Sequence, residues 1–175
     1  MQDKMKKPTL SDAEKYLTHE YVEGKFDCAS LAVLVQRELF GREIDLPCAE
    51  DRSKGARGHA KDIEKYKKSL AEKIDTPSTG DGVMMWTTTK TGEALLNRRW
   101  HIGTIFVQNN EQWVLHCANE KRGVAIQRLS QMANSGIHVD AFYAWSEPKK
   151  LQLSIYPRPL SGEVQVCQVP FGTTL

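Results

Sequence analysis

A chain of 175 residues and 19.8 kDa, 40% hydrophobic and 26% charged with a mean hydropathy of −0.50, has the size and composition of one globular domain with a buried core. Its 24 Lys and Arg against 22 Asp and Glu leave a net charge of +2, which points neither to a nucleic-acid binder nor to a trap for acidic ligands. No apolar run approaches the roughly 20 residues that span a bilayer, and the charged start "MQDKMKKPTLSDAEKYL" has no signal-peptide core, so a chain made in the cytoplasm with no membrane partner is expected.

Taken in chain order, Ser11-Asp-Ala-Glu14 has capping-box spacing and predicts a short helix from about Asp12 to His19. From Asp27 onward, Leu31, Leu34, Val35 and Leu39 fall on one helical face, and Gly41 is a natural stop. This is the expected central buried helix. "LPCAEDRSKGARG" reads as a loop, and "HAKDIEKYKKSLAEKID" as a lysine-rich helix with a thin stripe of Ile63, Tyr66, Leu70 and Ile74, broken by "TPSTGDG".

After Gly80 the texture becomes that of short strands: Val83 to Trp86, Trp100 to Val107, Gln112 to Ala118, Val124 to Leu129 and Val139 to Trp145. Helices first and strands afterwards predict an α+β domain, a helical layer on one face of an antiparallel meander. Past Pro148, "LQLSIYP" and "GEVQVCQVP" read as a further hairpin. The expected organisation is a domain over residues 1–147, with an insert at about 48–80, and an extension over 148–175.

Cysteines at 28, 48, 117 and 167 follow no metal-ligand or CxxC spacing. A chain of this size needs no disulfide, so reduced thiols are expected. Asp27 is a natural N-cap, which puts Cys28 in the first helical turn, where unpaired amides and the helix dipole favour a thiolate. The same amides can stabilise an oxyanion.

A base comes from "WHIGTIFVQNNEQWVLHCA". With Val107 opposite Gln112, opposed residues sum to 219, so His101 faces Ala118 and His116 faces Gly103. Side chains alternate with period two, so both imidazoles emerge on one face as diagonal neighbours, roughly 7 to 8 Å apart at Cα. A two-residue loop summing to 217 would set them directly opposite. Cys117 points to the other face. Zinc suits His and Cys ligands, but no paired spacing supports a site from Cys28, His101 and His116, and no metal or other cofactor is expected.

Thiol, imidazole and a second polar group to hold that imidazole are the parts of a nucleophile, base and orienter for acyl transfer. At this point "Tyr21-Val-Glu-Gly24…Asp27-Cys28-Ala-Ser", "Gly80-Asp-Gly-Val-Met-Met-Trp86", "His101-Ile-Gly103-Thr-Ile-Phe106" and "Leu115-His116-Cys-Ala" together resemble the NlpC-type cysteine peptidases, papain-like enzymes that cut peptidoglycan stem peptides. The resemblance spans about Tyr21 to Trp145. It implies a papain-like fold, Cys28 as nucleophile, His101 as base and then acid, His116 as orienter, and Tyr21 assisting at the oxyanion. Asp27 and Ala29 beside the thiol and Trp100 beside His101 are the expected substrate and oxyanion neighbours.

Ala29-Ser30 stands where that family usually shows Ser-Gly, which bears on substrate specificity. The lack of a signal peptide is closer to a phage tail component, or to an effector delivered by a secretion machine and blocked by an immunity protein. Two rivals share the fold: an acyltransferase or deamidase with another acceptor, and a non-catalytic assembly protein of a tail or effector complex. His19, His59 and His138 read as surface or capping residues, Cys48, Cys117 and Cys167 as buried thiols, the lysines at 54, 61, 65, 67, 68 and 73 as a solvated helix face, and Trp86, Trp100, Trp113 and Trp145 as core or sheet-edge aromatics.

Overall fold

The computed structural model describes residues 7–23, 25–46, 62, 70–87, 99–119 and 122–146. Helix α1, Leu10–Ala13, starts two residues earlier than the Ser11 box predicts, because the Asp12 carboxylate accepts from both the amide and the hydroxyl of Thr9 at 2.7 Å. The chain then tightens into a 3₁₀ helix, Glu14–Thr18. Tyr16, 1% exposed, and Lys15 both reach Glu38, at 2.9 and 3.0 Å. Burial raises the Tyr16 phenol above its ordinary range, and the Glu38 carboxylate reinforces the rise. Burial alone would raise Glu38, but hydrogen bonds from Lys15 and Tyr16 outweigh it and hold the carboxyl below its usual value.

Asp27 has extended backbone angles, and its carboxylate accepts the amides of Ala29 (3.0 Å) and Ser30 (3.1 Å), so the next helix must begin at Cys28. This helix, α2, spans Cys28–Phe40 and ends at Gly41, whose φ of 62° lets the backbone turn left-handed. Leu31, Leu34 and Val35 are buried beneath it, as their spacing predicts. Gln36, fully buried, donates to the Gly80 carbonyl at 2.8 Å and ties α2 to the loop that leads into the sheet.

Six strands follow: β1 Ala71–Ile74, β2 Gly82–Thr87, β3 Arg99–Gln108, β4 Glu111–Asn119, β5 Gly123–Arg128 and β6 Ile137–Trp145. They form one antiparallel sheet in the order β1-β6-β2-β3-β4-β5, an α+β architecture. The meander holds only from β2 to β5. β6 returns to lie beside β2, because β2 is buried along Gly82, Val83, Met84 and Met85 and needs a neighbour on each side.

Ala71–Ile74, expected as the end of the lysine-rich helix, is a strand. It pairs with β6, Ala71 opposite Trp145 and Ile74 opposite Phe142. Four residues are too few for periodicity to separate helix from strand, and the open edge of β6 supplies the ladder partner. Apart from Asp62 and Leu70, the preceding part of that predicted helix lies outside the described residues, as do Cys48, His59, most of the insert, Cys167 and the expected hairpin over 148–175. Among the described residues no helix is long and apolar enough to cross a membrane.

The β3–β4 turn is Asn109–Asn110, with φ of 54° and 62°, the conformation whose twist suits a two-residue hairpin. Gln108 and Glu111 form the last rung and Val107 faces Gln112, so the two-residue loop belongs to the 219 register and not to 217. Alternation then gives the sheet two faces. One carries Phe106, Leu115, Cys117 and Val124 under α2; the other carries Val83, Met85, Ile105 and Val114 beneath Met132 of a second 3₁₀ helix, Leu129–Ser135.

Gly103 is where β3 and β4 approach most demandingly. A Cβ there would lie 2.6 Å from Val114 Cγ1, 3.0 Å from the Leu115 carbonyl oxygen and 3.2 Å from Met85 Cε. The Leu115 backbone cannot swing aside as a side-chain tip can. Gly103→Ala is therefore expected to destabilise the fold by about 1–3 kcal/mol, read as a lower urea midpoint.

Candidate functional site

The ring of Phe40, at the last residue of α2, lies 6.1 Å from that of Phe106 near the hairpin end of β3. Thirteen helical residues rise about 19.5 Å. The five residues from Phe106 back to His101 extend about 17 Å. α2 packs against β3 and β4, and its first residue, Cys28, acts by its charge on Cys117 of β4. Cys28 and Tyr21, both half-buried, pack against the core cluster that contains Cys117.

His101 and His116 meet. Nε2 of His101 is 2.7 Å from Nδ1 of His116, and the rings stand edge to face with centroids 5.0 Å apart. His116 is fully buried, and its Nε2 lies 2.8 Å from Oε1 of Gln127 on β5. Gln127 Nε2 in turn donates to Ser135 Oγ at 3.2 Å, at the end of the second 3₁₀ helix. The sequence reading missed Gln127. Extending the alternation by one strand finds it, because Val114 faces Gln127 and His116 faces Ala125, which makes Gln127 the diagonal neighbour of His116.

The imidazole pair belongs to the face opposite the one that α2 covers. The described β3–β4 ladder ends at the Thr104–Leu115 rung, short of His101. Beyond that rung Asp27 links the two sides: it is 7% exposed, and its negative charge acts both on His101, favouring the protonated ring, and on Cys117. Cys28, Asp27 and Cys117 thus form one group and His101, His116 and Gln127 another, and the charge of Asp27 acts on both.

Ala29 and Trp100 both have structural partners, and Trp100 packs as one of the expected sheet aromatics. The Ala29 amide is committed to Asp27 Oδ1, so it serves the helix cap and not an oxyanion. Trp100 packs with Met84, Ala141 and Tyr143 on the face away from the His101 ring, because neighbouring residues on a strand point to opposite faces. Cys117 is buried, and burial first, then the charges of Cys28 and Asp27, pushes its thiol up to about 12. It is a buried core thiol, as expected, and inert. His19 stacks on Phe26 and His138 on Trp86, with centroids 5.4 and 4.3 Å apart. Among the described residues no group of three or more His, Cys, Asp or Glu side chains is arranged to hold a metal ion.

Burial is the main reason both imidazoles stay neutral. For His101 the neighbouring His116 adds to the depression and Asp27 opposes it; for His116 the bond to Gln127 opposes it and Arg122 adds to it. The unfolded chain takes up protons on both rings near the ordinary imidazole value of about 6.5, and the folded chain does not. Folding stability is thus fully present above about pH 6.5 and falls as pH drops below it. Urea midpoints from pH 7 to pH 5, above the range in which Glu38 titrates, are expected to show this loss, and His101→Gln combined with His116→Gln to flatten it. Comparison of the chain with protein-family models, with curated proteins and with solved structures gives no match.

Proposed function

We propose that this chain is a papain-like cysteine hydrolase that cleaves an amide bond in peptidoglycan stem peptides. The observation that carries the reading is the 2.7 Å bond between His101 and His116, with the charge of Asp27, the N-cap of the thiol-bearing helix, acting on His101. Substrate class comes from the NlpC-type pattern around Tyr21, Asp27, Cys28, His101 and His116. Delivery by a phage tail or a secretion machine, and control by an immunity protein, belong to the same reading.

In this mechanism the Cys28 thiol gives its proton to His101, and the thiolate attacks the amide carbonyl carbon. The N-terminal dipole of α2 favours the thiolate, and the charge of Asp27 favours the imidazolium that forms beside it. The carbonyl oxygen becomes an oxyanion. With the Ala29 amide engaged by Asp27, the Cys28 amide and the Tyr21 hydroxyl are the donors assigned to it. The C–N bond then breaks, the leaving amine takes the proton from His101, and a thioester remains on Cys28. Water, deprotonated by His101, hydrolyses that ester and restores the thiol.

Two measurements test this. Alkylation of Cys28 by iodoacetamide at neutral pH, followed by mass spectrometry, is expected to be faster in the wild type than in His101→Ala; slow alkylation indifferent to His101 removes the activated thiol and favours a non-catalytic assembly protein. Release of new amino groups from purified peptidoglycan fragments is expected to fall by roughly four orders of magnitude or more in Cys28→Ala. Unchanged release in that variant rules out the mechanism.

A further inference from the structure

We infer that Gln127 is a positioning residue that fixes which nitrogen of His101 is basic, by setting the direction of a chain of hydrogen bonds that runs from His101 through His116 and Gln127 to Ser135. The inference rests on His101 acting as the base. When both rings are neutral, each ring nitrogen and each amide atom of Gln127 either donates or accepts.

Oε1 of Gln127 can only accept, so His116 must carry its proton on Nε2 to bond across 2.8 Å. A neutral ring has one N–H, which leaves Nδ1 of His116 bare. That atom is 2.7 Å from Nε2 of His101, which must therefore donate, and the second nitrogen of His101, Nδ1, is left with a lone pair. A thiol proton can go only to Nδ1. When it arrives, His101 becomes an imidazolium whose Nε2–H already has its acceptor, so no group in the chain has to turn or exchange a proton.

With the amide of Gln127 turned over, every bond reverses. Its NH₂ would donate to His116 Nε2, His116 would donate from Nδ1, and His101 would hold its proton on Nδ1, where it could not serve as base. In the structure the amide oxygen faces His116 and the NH₂ faces Ser135 Oγ at 3.2 Å; a hydroxyl can donate as well as accept, so the orientation of the Gln127 amide is what the ring-nitrogen measurement reads. The buried position of His116 excludes water as a substitute acceptor. Gln127 thus does at one remove what an orienting carboxamide or carboxylate does next to a catalytic histidine.

The direct test is the protonation state of each ring nitrogen, read by long-range proton–nitrogen correlation spectra of the full chain labelled with ¹⁵N-histidine at neutral pH. His101 with Nε2 protonated and Nδ1 bare, and His116 with Nε2 protonated, is the expected pattern. Gln127→Leu should mix the tautomers of both rings and lower kcat roughly 10- to 100-fold with KM little changed, whereas Gln127→Glu, which keeps an acceptor at the same reach, should restore the single pattern and recover activity to within about tenfold. His101 protonated on Nδ1 in the wild type, or a nitrogen pattern in Gln127→Leu identical to wild type, overturns the inference. Should Gln127→Leu fail to fold, the wild-type spectrum and Gln127→Glu still decide it. The spectrum is read without turnover, so the tautomer assignment can stand or fall separately from the hydrolase reading, which Cys28→Ala tests.

Discussion

The pairing of β3 with β4 is the constraint on which the rest of this molecule depends. Asn109 and Asn110, both left-handed, close the hairpin in two residues and set Val107 against Gln112. From that single choice follow the two faces of the sheet. Phe106, Leu115 and Cys117 turn toward α2, and Ile105, Val114 and His116 turn toward the second 3₁₀ helix. A shift by one residue would take Leu115 and Cys117 out from under α2 and part the histidines, so core packing and imidazole pairing enforce the same register.

Electrostatically the site is built from one buried carboxylate and two neutral rings, His116 fully buried and His101 half-buried. Asp27 satisfies the first amides of α2 and so decides where the helix, and with it Cys28, begins. The same carboxylate offsets part of the burial that keeps His101 unprotonated. Cys117, by contrast, has two negative neighbours as well as burial against its ionisation. Two thiols on the same side of the sheet therefore have different chemistry: Cys28 at a helix start that favours an anion, Cys117 in a core that forbids one.

Much of this was legible because it is local. The start of α2 at Cys28 and its end at Gly41 depend on hydrogen bonds spanning two to five residues, and the histidine pairing depends on one hairpin and the two-residue period of a strand. Even the commitment of the Ala29 amide to Asp27 was readable, since an N-cap side chain accepts from the second and third helical amides. The misassigned elements were short or marginal. The Thr9–Asp12 box prevailed over Ser11–Glu14 by two residues, and Ala71–Ile74 is too brief to declare its period.

The sequence by itself determined an α+β chain, the thiol at the mouth of its main helix, the buried thiol Cys117 and the shared face of two imidazoles. Only the tertiary structure decided that β6 folds back against β2, that β1 completes the edge beyond it, and that Gln127 and Ser135 stand behind His116. It also decided that α2 and the imidazoles occupy opposite faces, with Asp27 linking them. The division follows the range of the interactions. Caps, turns and alternation are fixed by neighbours along the chain, whereas strand order and a bond between residues eleven apart on different strands require the sheet to be assembled first.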